Sequence, residues 1–196
     1  MRKLILPIFL ILTLFVACKD KETTQQSIEK FDIKKFEELT PRSENFISRY
    51  AQYNTPYGFV NMYSTDNNYL QWEYYIEQDD IVCLHKTFYK DTLTLEKTGR
   101  CIPGSSMPSL DDEPISIWEY FDPKGKKIKE ENTDEGYKIL WADVRKIAKE
   151  NNFQIRNIHK DHKNHKWVIL PQHDMAAVIF IDGKTGAVTI ENLKTE

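Results

Sequence analysis

The chain has 196 residues and carries 27 lysines and arginines against 30 aspartates and glutamates. This mildly acidic balance makes nucleic acid and anionic lipid poor partners, because both require a basic surface on the protein. The length fits one medium domain or two small lobes with a core, and the 12% of aromatic residues favour order over disorder.

The first residues have the layout of an export signal. Arg2 and Lys3 precede an apolar run from Leu4 to Val16, and a small alanine and Cys18 follow that run. A charged start, a short apolar segment and a small-residue cleavage site are the three parts of a signal peptide. The run is shorter than the roughly 20 residues that a membrane-spanning helix needs. We therefore expect residues 1–17 to be a signal peptide.

The cleavage region contains a cysteine directly after small and apolar residues. The segment Leu14-Phe15-Val16-Ala17-Cys18 resembles the lipobox of bacterial lipoproteins, in which the cysteine is lipidated and becomes the mature N-terminus. Phe15 departs from the family pattern, which usually has leucine at that position. The resemblance implies a lipid anchor on Cys18, and the alternative is an ordinary secretory signal with an incidental cysteine. Acyl chains contribute about 0.8 kcal/mol per buried CH2, so such an anchor would hold the protein on a membrane.

Residues 18–26 are polar and show no apolar periodicity, which predicts a lipidated cysteine followed by a flexible tether. The charged segment 19–22 is similar to the export tags that send some lipoproteins of gram-negative bacteria to the cell surface, and the alternative is a solvated linker. The expected location is the cell envelope, at the periplasmic face of the outer membrane or on the cell surface. Removal of residues 1–17 leaves 25 basic against 30 acidic residues.

Residues 27–131 are predicted to form a helical segment followed by an antiparallel sheet. Apolar residues over 28–50 recur at three- to five-residue spacing, which is typical of one or two short amphipathic helices. From Phe59 to Glu131 the period shortens to two, which indicates half-buried strands. Turn residues divide this region at 78–80, 90–91, 98–99 and 122–125. The simplest arrangement of these strands is an antiparallel meander.

Two cysteines remain after Cys18 is assigned to the lipid, and they are Cys83 and Cys101. An even pair in an oxidising compartment predicts a disulfide, and the alternative is two reduced cysteines. No CxxC spacing indicates a redox or zinc site.

Residues 132–196 are predicted to form a helix followed by four short strands. Trp141, Val144 and Ala148 share one helical face. The turn at 182–186, Asp-Gly-Lys-Thr-Gly, resembles the closing hairpin of PepSY-like domains, and Trp167 in a preceding strand suits that pattern. The alternative is a generic tight hairpin, which favours the same residues. PepSY-like domains are small extracytoplasmic binding or inhibitory modules, so the resemblance implies binding.

The fold class predicted from these elements is α+β. It comprises an N-terminal helical segment, an antiparallel β-meander, and a C-terminal helix packed on a small antiparallel sheet in a PepSY-like unit.

Two groups of residues are candidates for a binding surface. Tyrosines in an asparagine-rich stretch suit amphipathic contacts, and the alternative is that these rings pack on the sheet. Consecutive acids in a Ser- and Pro-rich loop suit calcium or a basic partner, and the alternative is a solubilising turn, since the 12-residue calcium loop is absent. The candidate residues are Tyr53, Tyr57, Tyr63, Asp111, Asp112 and Glu113.

No motif for catalysis, a metal or a cofactor is found in the sequence. The histidines at 159, 162, 165 and 173 are spaced awkwardly for one face, and the lysines among them, Lys160 included, repel a cation and indicate a solvated hairpin tip. Ser105 and Ser106 lack a GxSxG elbow, and no phosphate-binding loop is present.

Two classes of function follow. The first is a non-enzymatic envelope lipoprotein that binds or inhibits a protein partner, with immunity against a secreted basic toxin as one specific role. The second is an envelope enzyme whose carboxylates or histidines meet only in the fold.

Overall fold

The structure is a computed structural model that describes residues 28–40, 49–77, 80–104, 112–172 and 176–192. The predicted signal peptide, Cys18 and the tether therefore lie outside the described residues, as do Ser105, Ser106, Asp111 and His173. Within the described ranges, no helix combines the length and the apolar character needed to cross a membrane.

The described part of the chain contains two helices and eleven strands. The elements, in chain order, are α1 (Ile33–Leu39), β1 (Arg49–Thr55), β2 (Gly58–Ser64), β3 (Asn68–Glu77), β4 (Asp80–Tyr89), β5 (Leu95–Ile102), β6 (Glu113–Phe121), β7 (Lys127–Asn132), α2 (Trp141–Glu150), β8 (Ile155–Asp161), β9 (Lys166–Pro171), β10 (Ala177–Asp182) and β11 (Val188–Asn192).

Strands β1 to β7 form one antiparallel sheet in which each strand pairs with the next along the chain. Strands β8 to β11 form a second antiparallel sheet in the order β11-β10-β9-β8. Strands account for 56% of the described residues and helices for 12%, in a sandwich-like arrangement. The predicted α+β class is therefore wrong, and the chain is mostly β.

The N-terminal apolar spacing predicted more helix than the structure contains. Helix α1 has seven residues and buries only Phe36, and the apolar spacing that continues to Tyr50 belongs in part to strand β1. Phe31 lies before the helix, where its backbone N–H donates to the carbonyl of Leu93 at 2.8 Å. An extended segment can also direct apolar side chains at one core. Spacings of three to five residues therefore did not distinguish a helix from an extended segment here.

The C-terminal region contains a helix and a four-stranded sheet, but it does not form the separate PepSY-like unit that was predicted. Val82, Ile102 and Ile115 of the large sheet share one hydrophobic cluster with Val144 of α2 and Trp167 of β9. The core is thus continuous between the two sheets.

The turn that suggested the PepSY resemblance follows from local hydrogen bonding. Asp182 Oδ1 accepts from the backbone N–H groups of Lys184 and Thr185 at 3.0 and 2.8 Å. Gly186 has a φ of +77°, which glycine adopts without steric cost. Because these interactions stabilise a tight turn between any two strands, the motif carries no information about the family.

The two faces of the seven-stranded sheet have different surroundings. One face, the back face, carries Val60 and Met62 beneath Phe36 of α1, and Val82 and Ile115 against the C-terminal region. The opposite face, the front face, carries Trp72 and Tyr74, which alternate with the back-face residues of β3.

A buried ion cluster joins the large sheet to the C-terminal region. The side chain of Lys160 on β8 is 0% exposed, and its Nζ lies 2.7 Å from Asp134 Oδ1 and 3.7 Å from Glu113 Oε1. Lys160 Nζ also donates to the carbonyl of Thr133 at 2.9 Å. The prediction that Lys160 belongs to a solvated hairpin tip is therefore wrong, because two carboxylates distant in sequence enclose it.

Candidate ligand-binding cleft

The front face has an apolar cluster of its own. Its buried members are Leu70, Trp72, Tyr74, Cys83, Cys101 and Trp118. Every described residue of this cluster belongs to the seven-stranded sheet, and the partly buried members are rings from β2 and β6. Neighbouring rings cover one another, since Phe59 stacks on Tyr74 with ring centroids 4.5 Å apart and His85 lies edge-on to Trp72 at 5.0 Å. No described helix or second sheet packs on this face.

A cleft with a volume of ≈ 630 Å³ lies on the front face between β3 and β7. Its lining consists of Thr65, Asn68, Leu70, His85, Thr87, Glu96, Lys97, Cys101, Asp112, Pro114, Trp118, Tyr120, Glu131 and Thr133. The lining combines aromatic rings, hydroxyl and amide groups and a few charges, which is the usual composition of a ligand site.

A bulge in β6 positions Trp118 in this cleft. Thr98 pairs with Glu119 and Arg100 with Ile115, so three residues of β6 lie opposite Gly99 alone. A Cβ atom at Gly99 would lie 2.2 Å from Trp118 Cδ2, which means that the indole ring lies directly on the glycine backbone. Glycine is therefore required there, and it lies within β5, although the sequence suggested that a strand ends at Gly99.

A hydrogen bond connects the bulge to the buried ion cluster at the junction between the large sheet and the C-terminal region. Ser116 has a φ of +62°, and its backbone N–H donates to Asp134 Oδ2 at 2.8 Å. Asp134 is the same carboxylate that accepts from Lys160. The indole of Trp118 is held separately, since its Nε1 donates to the carbonyl of Arg100 at 3.1 Å.

His85 contributes an imidazole ring to the lining of the cleft. Burial lowers the pKa of His85 to about 4, and the nearby charge of Lys97 adds to the effect. The ring is therefore neutral at physiological pH and takes part as a hydrogen-bonding group. One nitrogen, Nε2, lies 3.0 Å from the hydroxyl of Thr87.

The charged groups of the cleft already have partners within the chain. Glu131 Oε2 accepts from Lys129 Nζ at 2.7 Å and from the Tyr120 hydroxyl at 2.9 Å, and these contacts lower the pKa of Glu131. Glu96 Oε2 accepts from the amide of Asn68 at 2.5 Å. Glu131 is therefore ion-paired, whereas Glu96 keeps its negative charge and is held in place by an amide.

Three polar atoms of front-face side chains, which are not part of the cleft lining, are buried without a hydrogen-bond partner among the described residues. They are Trp72 Nε1, Asn61 Nδ2 and the Tyr74 hydroxyl, on side chains that are each 1% exposed. Asn61 and Trp72 are directly opposite on β2 and β3, and Tyr74 is two residues further on the same face. Buried polar groups without partners are rare in folded proteins and cost about 1–3 kcal/mol each.

The hydrogen-bonding roles in this group follow from its neighbours. The Tyr50 hydroxyl donates to Asn61 Oδ1 at 2.9 Å. Burial, with the charge of Asp112, raises the pKa of Tyr74, and the Asn61 side chain acts in the opposite direction. Tyr74 therefore keeps its proton.

A disulfide joins β4 to β5 at the end of the cleft. Cys83 and Cys101 are directly opposite, with Cα atoms 5.2 Å apart, and the predicted disulfide is thereby confirmed. Asp112 Oδ2 lies 3.7 Å from Cys101 Sγ, and Asp112 Oδ1 accepts from the backbone N–H of Gly104 at 2.9 Å. These two cysteines and Asp112 are the one group of three potential metal ligands in the described ranges, and the disulfide removes both thiolates.

The tyrosines of the predicted binding surface are distributed over the sheet. Tyr53 lies on the back face, where Lys35 Nζ is 3.3 Å from its ring centroid. Tyr57 lies in the turn between β1 and β2 and is 74% exposed. Tyr63 is half-buried on the front face, beside the cleft. The structure therefore does not bring the three rings together.

The predicted acidic group is also divided. Asp112 lines the cleft, whereas Glu113 is 9% exposed and faces Lys160 at the junction. Burial raises the pKa of Glu113, and Lys160 opposes that shift. Among the histidines, His159 is exposed on β8, and His162 and His165 lie with ring centroids 5.9 and 5.7 Å from that of Tyr137.

Comparison of this chain with protein-family models, with curated proteins and with solved structures gave no match. The functional interpretation therefore rests on the geometry of the cleft. Sequence reasoning missed His85 and Trp118 as members of a site. The available signal was Gly99, because an isolated glycine in a strand indicates a close approach by another group.

Proposed function

We propose that this protein is a lipid-anchored lipoprotein of the bacterial cell envelope, and that it binds its ligand in the front-face cleft without catalysing a reaction. The observation that carries the binding role is the front-face cleft itself, where Trp118, Tyr120 and His85 line a volume of ≈ 630 Å³. Aromatic rings beside hydrogen-bonding groups are typical of ligand sites. The anchor is inferred from the lipobox around Cys18.

The cleft suits binding better than catalysis. An enzyme of this size would be expected to present a nucleophile beside a base within reach of the substrate. In the cleft, the hydroxyl beside His85 belongs to Thr87, which is 4% exposed and so is poorly placed to attack a bound molecule. His85 has a pKa of about 4, which makes it a weak base at neutral pH.

The anchor is tested by replacing the lipidated cysteine. We expect Cys18→Ser to abolish acylation, because serine offers no thiol for the lipid, and to shift the protein from the membrane to the soluble fraction or leave it uncleaved. Fractionation with intact-mass spectrometry measures both effects. Lys19→Ser, a substitution at the neighbouring tether position, is the control and should leave acylation unchanged. Membrane attachment of the wild-type protein without any acyl group would contradict the anchor.

The binding role is tested with the four tryptophans as reporters. In the soluble Cys18→Ser protein, each indole N–H gives one NMR signal, and single Trp→Phe variants assign the signals. A size-fractionated soluble extract of gram-negative cell envelopes should shift the signal of Trp118, which lines the cleft. The signal of Trp167 should not move, because its Nε1 donates to the carbonyl of Ile139 at 2.9 Å in the C-terminal core.

The same spectra define the result that would contradict the proposal. Shifts confined to Trp141 and Trp167 would place the ligand elsewhere on the protein, and an absence of shifts with every fraction would remove the support for binding in the cleft.

A further inference from the structure

The dimensions and position of the cleft restrict its ligand. The lining residues extend from β3 to β7, and therefore cross the strands instead of following one of them. Four spacings between neighbouring strands correspond to about 19 Å measured along the sheet. The cleft thus accepts an elongated molecule lying across the sheet.

An extended peptide is a poor match for this orientation. Peptides that bind sheets usually add a strand at an edge, where backbone N–H and C=O groups are unpaired. Strands β4, β5 and β6 in the cleft each pair on both sides. A peptide lying across them would have to satisfy its own backbone groups with side chains alone, which leaves desolvated amides.

The electrostatics of the lining restrict the charge of the ligand, because Glu96, Asp112 and Glu131 stand against Lys97. Glu131 is paired with Lys129, and Glu96 with the amide of Asn68. Asp112 accepts from the Gly104 backbone, and Lys97 Nζ lies 5.7 Å from the ring centroid of Trp118. An anionic ligand would meet like charge there, and a cationic ligand would have to compete with Lys129 for Glu131.

We propose that the ligand of the cleft is an uncharged saccharide chain. This inference rests on the binding role proposed above. A pyranose ring offers apolar C–H groups to the parts of Trp118 and Tyr120 that line the cleft, and its hydroxyls both donate and accept. They therefore fit a lining that mixes acceptors such as Glu131 with the neutral imidazole of His85 and the amide of Asn68. The chain runs across the strands from the β2–β3 turn to β7.

The central test compares two neighbouring glutamates on β7. Glu131 lines the cleft, whereas Glu130 points to the other side of the strand and pairs with Lys127 at 2.8 Å. Glu131→Gln should weaken saccharide binding about tenfold, the loss of one charge-assisted hydrogen bond, whereas Glu130→Gln should leave the affinity unchanged. Both residues are exposed, so thermal unfolding should show equal midpoints for the two variants.

The probes are tetrasaccharides of glucose, galactose, mannose and N-acetylglucosamine, with an uncharged hexapeptide of glycine, serine and asparagine as the comparison. Binding is followed through the Trp118 indole signal. We expect a shift with at least one tetrasaccharide and none with the hexapeptide. Equal affinities of the Glu130→Gln and Glu131→Gln proteins for the saccharide would overturn the assignment of the cleft as its site.

Treatment of the envelope extract separates the two proposals. Periodate destroys vicinal diols of sugars, so it should abolish the Trp118 shift, whereas digestion with proteinase should not. If the shift is lost only after proteinase, the ligand is a protein, such as a toxin, and the saccharide inference fails while the binding role stands. If neither the extract nor any tetrasaccharide shifts Trp118, both proposals fail.

Discussion

Replacement of Lys160 by alanine should destabilise the protein by about 3–5 kcal/mol, the typical cost of removing one partner from a buried ion pair. The side chain is 0% exposed, and the substitution would leave Asp134 and Glu113 without their cation. Chemical denaturation of the two proteins at pH 7 measures the difference. Because Asp134 also holds the bulge at Ser116, we expect the Trp118 indole signal to move as well.

Two control variants separate the ion cluster from general effects of charge. Lys163→Ala removes an exposed lysine from the neighbouring hairpin and should change the free energy of unfolding by no more than about 0.5 kcal/mol. Glu113→Gln should have a smaller effect than Lys160→Ala, because Asp134 stays 2.7 Å from Lys160 Nζ and the glutamine oxygen can still accept from the Lys160 backbone N–H. A loss with Lys160→Ala no larger than that with Lys163→Ala would show that the cluster does not stabilise the junction.

Removal of the disulfide is expected to have the next largest effect. The Cys83→Ala, Cys101→Ala double variant should lose about 3 kcal/mol of stability, because the bond closes a loop with a sequence separation of 18 and restricts the unfolded chain. Denaturant unfolding under non-reducing conditions measures this loss. The same experiment with reductant present should bring the wild-type protein close to the double variant.

Thiol titration provides the independent check of the disulfide. The native, unreduced Cys18→Ser protein should contain no titratable thiol, and denaturation without reductant should reveal none. Two reactive thiols under those conditions would contradict the bond.

The meander could be predicted from the sequence because its signals are local. The alternation in β3 and the turn residues between strands act over a few positions, and each strand pairs with its neighbour in the chain. Local signals also gave the wrong environment for Lys160, because its charged neighbours in the sequence indicate a solvated hairpin. Its partners Asp134 and Glu113 are 26 and 47 positions away, and a single sequence does not show that they meet.

The cleft was missed for a similar reason. Trp118 reaches Gly99 only through a bulge, and the strand alternation that identifies β6 carries no sign of the extra residues. The PepSY resemblance failed in the opposite way, since Asp182 and Gly186 satisfy a turn that many folds share. Local chemistry therefore identified the meander and its turns, extended the N-terminal helix too far, and gave little information about which surfaces the elements form.

The order of the strands also affects how the chain folds during synthesis. In a sheet whose strands pair in sequence order, each strand after the first pairs with the strand that precedes it in the chain. When the N-terminal end of the chain emerges first, that partner is already present for each new strand. The sheet can therefore grow by one hairpin at a time, with short loops to close. The ion cluster at the junction forms later, because Lys160 emerges after the seven strands are complete. Until then, Val82 and Ile115 on the back face lack their cover, and this is the interval in which the chain is most exposed to aggregation.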